Sequence, residues 1–298
     1  MVPGVREEVA MMLTDAQAAL LPSEDDVRFY QEHGWWISPP LLTPEEIEEA
    51  RFGIDRYYSG ERDAHLLVEL GTDWNESRGN VLRQNDYVSL QVEELRRLVH
   101  HPLVAATAAT LARTPTVRLF HDQLIYKPPG LSPEHSNVGW HTDIAYWKTC
   151  SSRELITAWI AFQDVDEDLA PMQVLDGSHR WDGNDHLEFF HETDHREIEK
   201  RIRRPGGSLE PVSLLLRLGQ VSFHHCRTIH GSRRNAADRP RIALAVHMQD
   251  HTNRYVPNTD EKGNRLSHFN DVLCRTDEAG NPDYSDPEIC PVLWDGEA

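Results

Sequence analysis

The chain has 298 residues, enough for one large domain or two small ones, with 39% hydrophobic and 27% charged residues. Its formal net charge of −19 argues against nucleic acid and anionic membranes as partners, because both need clustered Lys and Arg. The four cysteines (Cys150, Cys226, Cys274, Cys290) are widely spaced with no C-x-x-C pair. That pattern fits free thiols in a reducing cytosol better than a disulfide framework or a structural zinc site.

The N-terminal stretch carries acids where a signal peptide is basic and lacks an apolar run able to span a bilayer, so a cytoplasmic protein is expected. Residues 1–22 read as a short, partly helical extension. Ser23 opens a helix carrying Val27, Phe29 and Tyr30 that stops at Gly34, a residue suited to a left-handed helix end. Trp35–Ile37 read as a short strand. Thr43-Pro44-Glu45-Glu46 combines an N-cap hydroxyl, a first-turn proline and a reciprocal capping acid. The helix it starts carries Ile47, Ala50, Ile54 and Tyr57 at helical spacing. Residues 60–90 are polar and punctuated by Gly and Asn, which predicts a long loop placed to act as a lid. Helical signal returns from Val92 to about Arg113, interrupted near Pro102. From Thr116 the pattern changes to strands: Val117–Lys127, Leu155–Val165, Met172–Leu175, Val212–Leu218, Val221–His225 and Arg241–Gln249. Asp182–Arg204 is charged and reads as helical or irregular, and the polar tail from His251 suggests no clear element. Helices followed by at least six strands predict a mainly β fold: a β-sandwich or jelly-roll barrel with an N-terminal helical buttress.

Three His-x-acid triplets occur: His141-Thr142-Asp143, His186-Leu187-Glu188 and His195-Arg196-Glu197. On a strand, residues i and i+2 share a face and can reach one metal. On a helix they diverge by roughly 200°. The second and third triplets lie in the charged, helix-like stretch and read as solvated surface. His141 instead follows Gly139-Trp140 and precedes Ile144-Ala145-Tyr146-Trp147, a strand end among aromatic residues. Two imidazoles and a carboxylate on one face of an octahedral metal leave open positions suited to iron(II) oxygen chemistry. The segment Phe223-His224-His225-Cys226-Arg227-Thr228-Ile229-His230-Gly231-Ser232 offers three further histidines, and His230, before a Gly-Ser turn, is preferred over His224 or His225. Eleven residues on, Arg241 heads a strand. A hairpin would set its guanidinium beside His230, where it could grip the distal carboxylate of 2-oxoglutarate. Gln123 and Lys127 share a strand face, directed either to the site or outward, and Trp159 reads equally as core or as pocket wall. His179 reads as a structural loop residue.

The motifs HDQLIYKPPG, WHTDIAYW, Trp159 eighteen residues after the first histidine, DGSHRW, and HHCRTIHGSRRN followed by RPRIAL resemble the phytanoyl-CoA dioxygenase family of 2-oxoglutarate-dependent oxygenases, over roughly Ser23 to Asp250. The resemblance implies a double-stranded β-helix (jelly roll, cupin-like). It implies His141, Asp143 and His230 as iron ligands and catalytic residues, with Arg241 and Ser232 on the distal carboxylate. Iron(II), 2-oxoglutarate and dioxygen are then the expected cofactor and cosubstrates, succinate and carbon dioxide are products, and hydroxylation of a small molecule is the default outcome. Residues 23–298 are expected to form a single oxygenase domain, with a helical part at about 23–113, a jelly-roll core at about 116–250 and a polar tail at 251–298. Two alternatives remain open at this level: a metal-binding jelly roll that turns nothing over, and a cupin-like isomerase without 2-oxoglutarate.

Overall fold

The computed structural model describes residues 13–70, 73–132, 136–206 and 209–296, so the extension 1–22 lies partly outside the described residues. Its last part holds a one-turn helix, α1 (Asp15–Ala18). In α2 (Glu24–His33), Ser23 accepts from the Asp26 N–H while the Asp26 carboxylate accepts from the Ser23 N–H. The helix ends at Gly34 with φ +77°, where a Cβ would sit 2.2 Å from His179 Nδ1, so only glycine fits. The capping signal at Thr43 starts α3 (Pro44–Ser59), which buries Ile47, Ala50, Ile54 and Tyr57. The proline break at 102 divides α4 (Glu93–Val99) from α5 (Pro102–Leu111).

Among the described residues eleven strands follow one another as β1 (Trp35–Ile37), β2 (Arg83–Asp86), β3 (Thr116–Lys127), β4 (Val138–His141), β5 (Ile156–Ala161), β6 (Met172–Leu175), β7 (Pro211–Leu214), β8 (Val221–His225), β9 (His230–Ser232), β10 (Arg241–Asp250) and β11 (Val292–Asp295). The large sheet runs β1-β8-β5-β10-β3-β11, with β2 also on β3, and the small sheet runs β4-β9-β6-β7. All pairings are antiparallel, and the architecture is the expected jelly roll with a helical buttress. The outer face of the large sheet (Leu124, Ile156, Ala158, Ile160, Leu244, Val246) packs with α2 to α5 into the main core. The inner face looks toward the small sheet across a cavity of about 500 Å³.

Four expectations need correction. The 60–90 loop contains β2, which pairs with β3 through Arg83↔Tyr126 to Asp86↔Gln123; its polar residues concealed an edge strand that faces a cavity. The tail is integral: α7 (Asn270–Leu273) and β11 close one end, and Cys274, Tyr284 and Cys290 pack with Phe120 and Trp147. Between Asp182 and Arg204 only α6 (His195–Glu199) is regular. His195 is buried there, its Nε2–H donating to the Val138 carbonyl at 3.0 Å; the diverging helical triplet turns His195 inward and Glu197 outward. His186 is exposed as expected. Finally, β9 and β10 form no hairpin, since they belong to different sheets and the turn between them crosses the sandwich.

Candidate active site

A register shift between His247 and Met248, opposite Phe120, sets up the site. Before it, Val117 and Leu119 of β3 face the helices. After it, His121, Gln123 and Ile125 face the cavity, because one extra residue reverses strand parity. Cross-strand rows then floor the cavity. One row runs His121–His247–Thr157–His224 along β3, β10, β5 and β8, and the next runs Asp86–Gln123–Ala245–Trp159. Lys127 and Arg241 pair at the end of β3 and β10.

Above the floor, β4 and β9 pair His141 directly with His230, and Asp143 follows in a 3-10 turn (Asp143–Ala145) instead of continuing the strand. The triplet still converges because Thr142 remains extended. Gly139 permits this course, since a Cβ there would lie 2.0 Å from the Phe189 carbonyl oxygen. His141, Asp143 and His230 are buried, and one potential ligand atom from each lies within 4.8 Å of the others. Asp143 Oδ1 is 4.0 Å from His141 Nε2 and 3.5 Å from His230 Nε2. Ligands about 2.1 Å from a shared metal lie roughly 3–4 Å apart.

The surrounding bonds fit a divalent metal. His141 Nδ1–H donates to the Gly139 carbonyl at 2.8 Å, and His230 Nδ1–H donates to the Thr228 carbonyl at 2.9 Å, leaving both Nε2 lone pairs toward Asp143. The other carboxylate oxygen, Oδ2, accepts from Thr157 Oγ1 at 2.8 Å and His224 Nε2 at 3.2 Å. His247 Nδ1–H donates in turn to Thr157 at 2.8 Å. Burial alone would raise the Asp143 pKa, but His230, His224 and His247 outweigh it and hold the carboxylate ionised well below its usual range. Burial also pushes the pKa of His141 and, strongly, of His230 downward, the direction in which an imidazole frees its Nε2 lone pair for a metal.

At the other end Arg241, 2% exposed, donates from Nη1 to the Ala170 carbonyl at 3.0 Å, while its Nε has no partner. Its guanidinium lies 5.2 Å from the Trp159 ring centre. Fully buried Lys127 donates to Ser232 Oγ and to the Arg233 carbonyl, each at 2.7 Å. Among the described residues neither cation meets a carboxylate. Burial pulls the Arg241 pKa to about 10, and burial reinforced by Arg241 holds Lys127 well below its usual range. Two desolvated cations without a counter-charge cost several kcal/mol each unless an anion joins them.

The structure thus brings together His141, Asp143 and His230, and separately Arg241, Lys127, Ser232 and Trp159. Trp159 is both core and wall, packing with Val165 and Leu169 while lining the cavity. Gln123 lines the cavity away from the cation pair, donating to Asp86 at 2.9 Å. His225 turns to the opposite face toward Glu154 at 3.4 Å. Sequence reasoning set His224 aside as an alternative ligand and missed His121, His247, Thr157 and Asp86; strand parity would reveal their place only once the bulge and pairing register are known.

The family profile described as phytanoyl-CoA dioxygenase matches residues 30–243. The peroxisomal phytanoyl-CoA dioxygenase of Bos taurus is 24% identical over 248 residues, 77% of this chain and 69% of that protein. The ectoine dioxygenase of Bordetella bronchiseptica is 24% identical over 235 residues, 74% of this chain and 72% of that protein. Among solved structures, a non-haem alpha-ketoglutarate-dependent carbocyclase from nogalamycin biosynthesis superimposes with TM-score 0.62 at 25% identity, covering 83% of this chain and 94% of the other. An epimerase from the same biosynthesis, in complex with Fe3+, alpha-ketoglutarate and nogalamycin RO, gives 0.64 at 26% identity, covering 93% and 99%. With these relatives and a buried His-Asp-His cluster facing a cationic pocket, the chain belongs to the phytanoyl-CoA dioxygenase family and is an iron(II)- and 2-oxoglutarate-dependent dioxygenase.

Proposed function

We propose that His141 Nε2, Asp143 Oδ1 and His230 Nε2 hold the iron and that Arg241, flanked by Ser232, Lys127 and Trp159, receives the distal carboxylate of 2-oxoglutarate. The reaction is hydroxylation of a C–H bond in a small organic molecule. The observation carrying this reading is the buried Arg241 guanidinium, its Nε without a partner, in the wall of the cavity that also holds the His-Asp-His cluster, with buried Lys127 paired beside it on β3 and neither cation meeting a carboxylate among the described residues. A cupin-like isomerase without 2-oxoglutarate would leave that pair without an anion.

Iron(II) bound with 2-oxoglutarate supplies dioxygen activation coupled to decarboxylation of the cosubstrate to succinate and carbon dioxide. The chain's residues do the positioning. The Nδ1–H bonds to Gly139 and Thr228 fix both ring orientations, and Thr157 and His224 occupy Asp143 Oδ2 so that only Oδ1 faces the metal. Two imidazoles and one carboxylate oxygen would hold the metal from one side and leave room for the cosubstrate and dioxygen on the other. Arg241 aligns the cosubstrate through its planar fork, while Phe190, Tyr146 and Trp147 shield the reacting centre from water.

The reading extends to residues 23–298 as one oxygenase domain, supported by the pairing of β11 on β3 and by Ser267, His268, Phe269 and Val272 of the tail in the cavity wall. A cytoplasmic location is supported by four free thiols; in addition, no helix among the described residues is long and apolar enough to cross a membrane. The test is succinate formation and iron retention in His141→Ala and Asp143→Ala. Both should lose iron binding and turnover while keeping a cooperative melt, and undiminished 2-oxoglutarate decarboxylation in either variant would sink the triad assignment.

A further inference from the structure

Once Arg241 and Lys127 are assigned to the cosubstrate, the rest of the cavity has an uneven charge inventory. It is lined by Ile125, Val138, Tyr146, Trp147, Phe190, Phe269 and Val272, an apolar and aromatic surface. Its polar groups away from the metal cluster are Asp86, Gln84, Gln123, Ser267 and the imidazoles of His121, His191, His247 and His268, of which His191 is exposed at the surface. Asp86 is 5% exposed and accepts from Gln123 Nε2 at 2.9 Å. Among the described residues no Lys or Arg pairs with it. Beside it, Gln84 Oε1 is buried without a partner.

His121 is 7% exposed, and neither ring nitrogen has a partner. A buried polar group with no protein partner points to a ligand that supplies one. Burial holds the His121 imidazole neutral, with His247 and His268 next in effect, so it offers one donor and one acceptor and no charge. An anionic substrate would therefore find no counter-charge here, and a cation would find one carboxylate and one free amide oxygen.

We propose that the substrate is an organic ammonium compound with an apolar body, its cationic nitrogen paired with Asp86 and Gln84 Oε1 and a central polar group bonded by His121. This rests on the reading of the cavity as the substrate site of the iron centre. Burial raises the Asp86 pKa to about 6, as expected of a carboxylate whose cationic partner arrives with the ligand. β3 and β10 separate Asp86 on β2 from Thr157 on β5, under Asp143. With strands about 4.8 Å apart, the oxidised carbon lies roughly 10–15 Å from the nitrogen.

The test is calorimetric binding of three matched probes, phenylpentylamine, phenylpentanol and phenylpentanoate, to the anaerobic iron(II)–2-oxoglutarate protein and to metal-free protein. The amine should bind at least about 30-fold more tightly than the carboxylate and more tightly than the alcohol, in both forms. Asp86→Asn should reduce the amine's affinity to that of the alcohol, while Asp86→Glu, which keeps the charge, should retain the order amine over carboxylate. Equal binding of the three, tightest binding of the carboxylate, no binding of any, or an amine preference that survives Asp86→Asn would overturn the proposal. Should Asp86→Asn fail to melt cooperatively, the wild-type ratio of amine to carboxylate decides alone. Iron and 2-oxoglutarate titrations of the wild type report separately on the metal and cosubstrate reading. Normal titrations without an amine preference refute only the substrate class.

Discussion

Removing the Arg241 guanidinium should weaken 2-oxoglutarate binding far more than iron binding. The side chain is 2% exposed, spends one donor on the Ala170 carbonyl at 3.0 Å, and leaves Nε unpartnered, so most of its fork is free for a carboxylate. Breaking a desolvated, hydrogen-bonded charge pair costs about 2–5 kcal/mol, or at least about 30-fold in affinity. Lys127 stays beside the gap with its charge already directed to Ser232 and the Arg233 carbonyl, which places Arg241→Ala toward the lower end of that range. Arg241→Lys should recover part of the loss, because an ammonium keeps the charge and lacks the planar fork. Arg239 is exposed and pairs with Asp166 at 3.3 Å, a contact worth about 0–1 kcal/mol, so Arg239→Ala should match wild type. The assay is succinate formation against 2-oxoglutarate concentration, with iron affinity measured in parallel. An Arg241→Ala curve that overlays wild type would refute the cosubstrate assignment, and a collapse confined to Arg239→Ala would move the anchor to the turn.

His195→Ala should lower stability by on the order of 1–3 kcal/mol, since it removes a buried ring bonded to the Val138 carbonyl and packed on Trp140; exposed His186→Ala should not, and equal denaturation midpoints would contradict this. His179 donates from Nε2 to the Gln31 carbonyl, and burial, then His225, lowers its pKa to about 4. The unfolded chain protonates this residue near its ordinary 6.5 while the native state resists. Its contribution is therefore complete above that pH and is lost toward 4 at about 1.4 kcal/mol per pH unit. Urea titrations should accordingly show His179→Gln losing less stability than wild type over that window, and parallel losses would refute the reading. Cys274 and Cys290 bring their sulfurs to 3.9 Å as free thiols; mass spectrometry without reductant should find all four cysteines reduced, and an intact intramolecular disulfide would overturn the compartment argument.

Much of the scaffold was legible because its signals are local. The capping boxes at Ser23 and Thr43, the left-handed stop at Gly34 and the break at Pro102 depend on neighbours within four residues. The clustering of His141, Asp143 and His230 was legible for a related reason: His141 and Asp143 are two residues apart, and His230 precedes a small-residue turn. What escaped depends on long-range register. Whether His121 faces cavity or core is decided by the bulge at Phe120, which periodicity does not reveal. The strand at Arg83–Asp86 reads as loop because all four residues are polar, Gln84 and Asp86 facing a cavity and Arg83 and Asn85 turned to Trp74. Arg241 lines the cavity through a geometry other than the expected β9–β10 hairpin: it heads β10 in the large sheet, opposite Lys127 of β3.

The most direct test of the central claim is a crystal structure of the protein loaded anaerobically with iron(II) and 2-oxoglutarate, with data collected at the iron absorption edge. The account predicts one anomalous peak bonded to His141 Nε2, Asp143 Oδ1 and His230 Nε2, with 2-oxoglutarate chelating it and the distal carboxylate on Arg241. An anomalous peak held by His224 or His247 instead, or a distal carboxylate turned away from Arg241, would contradict it.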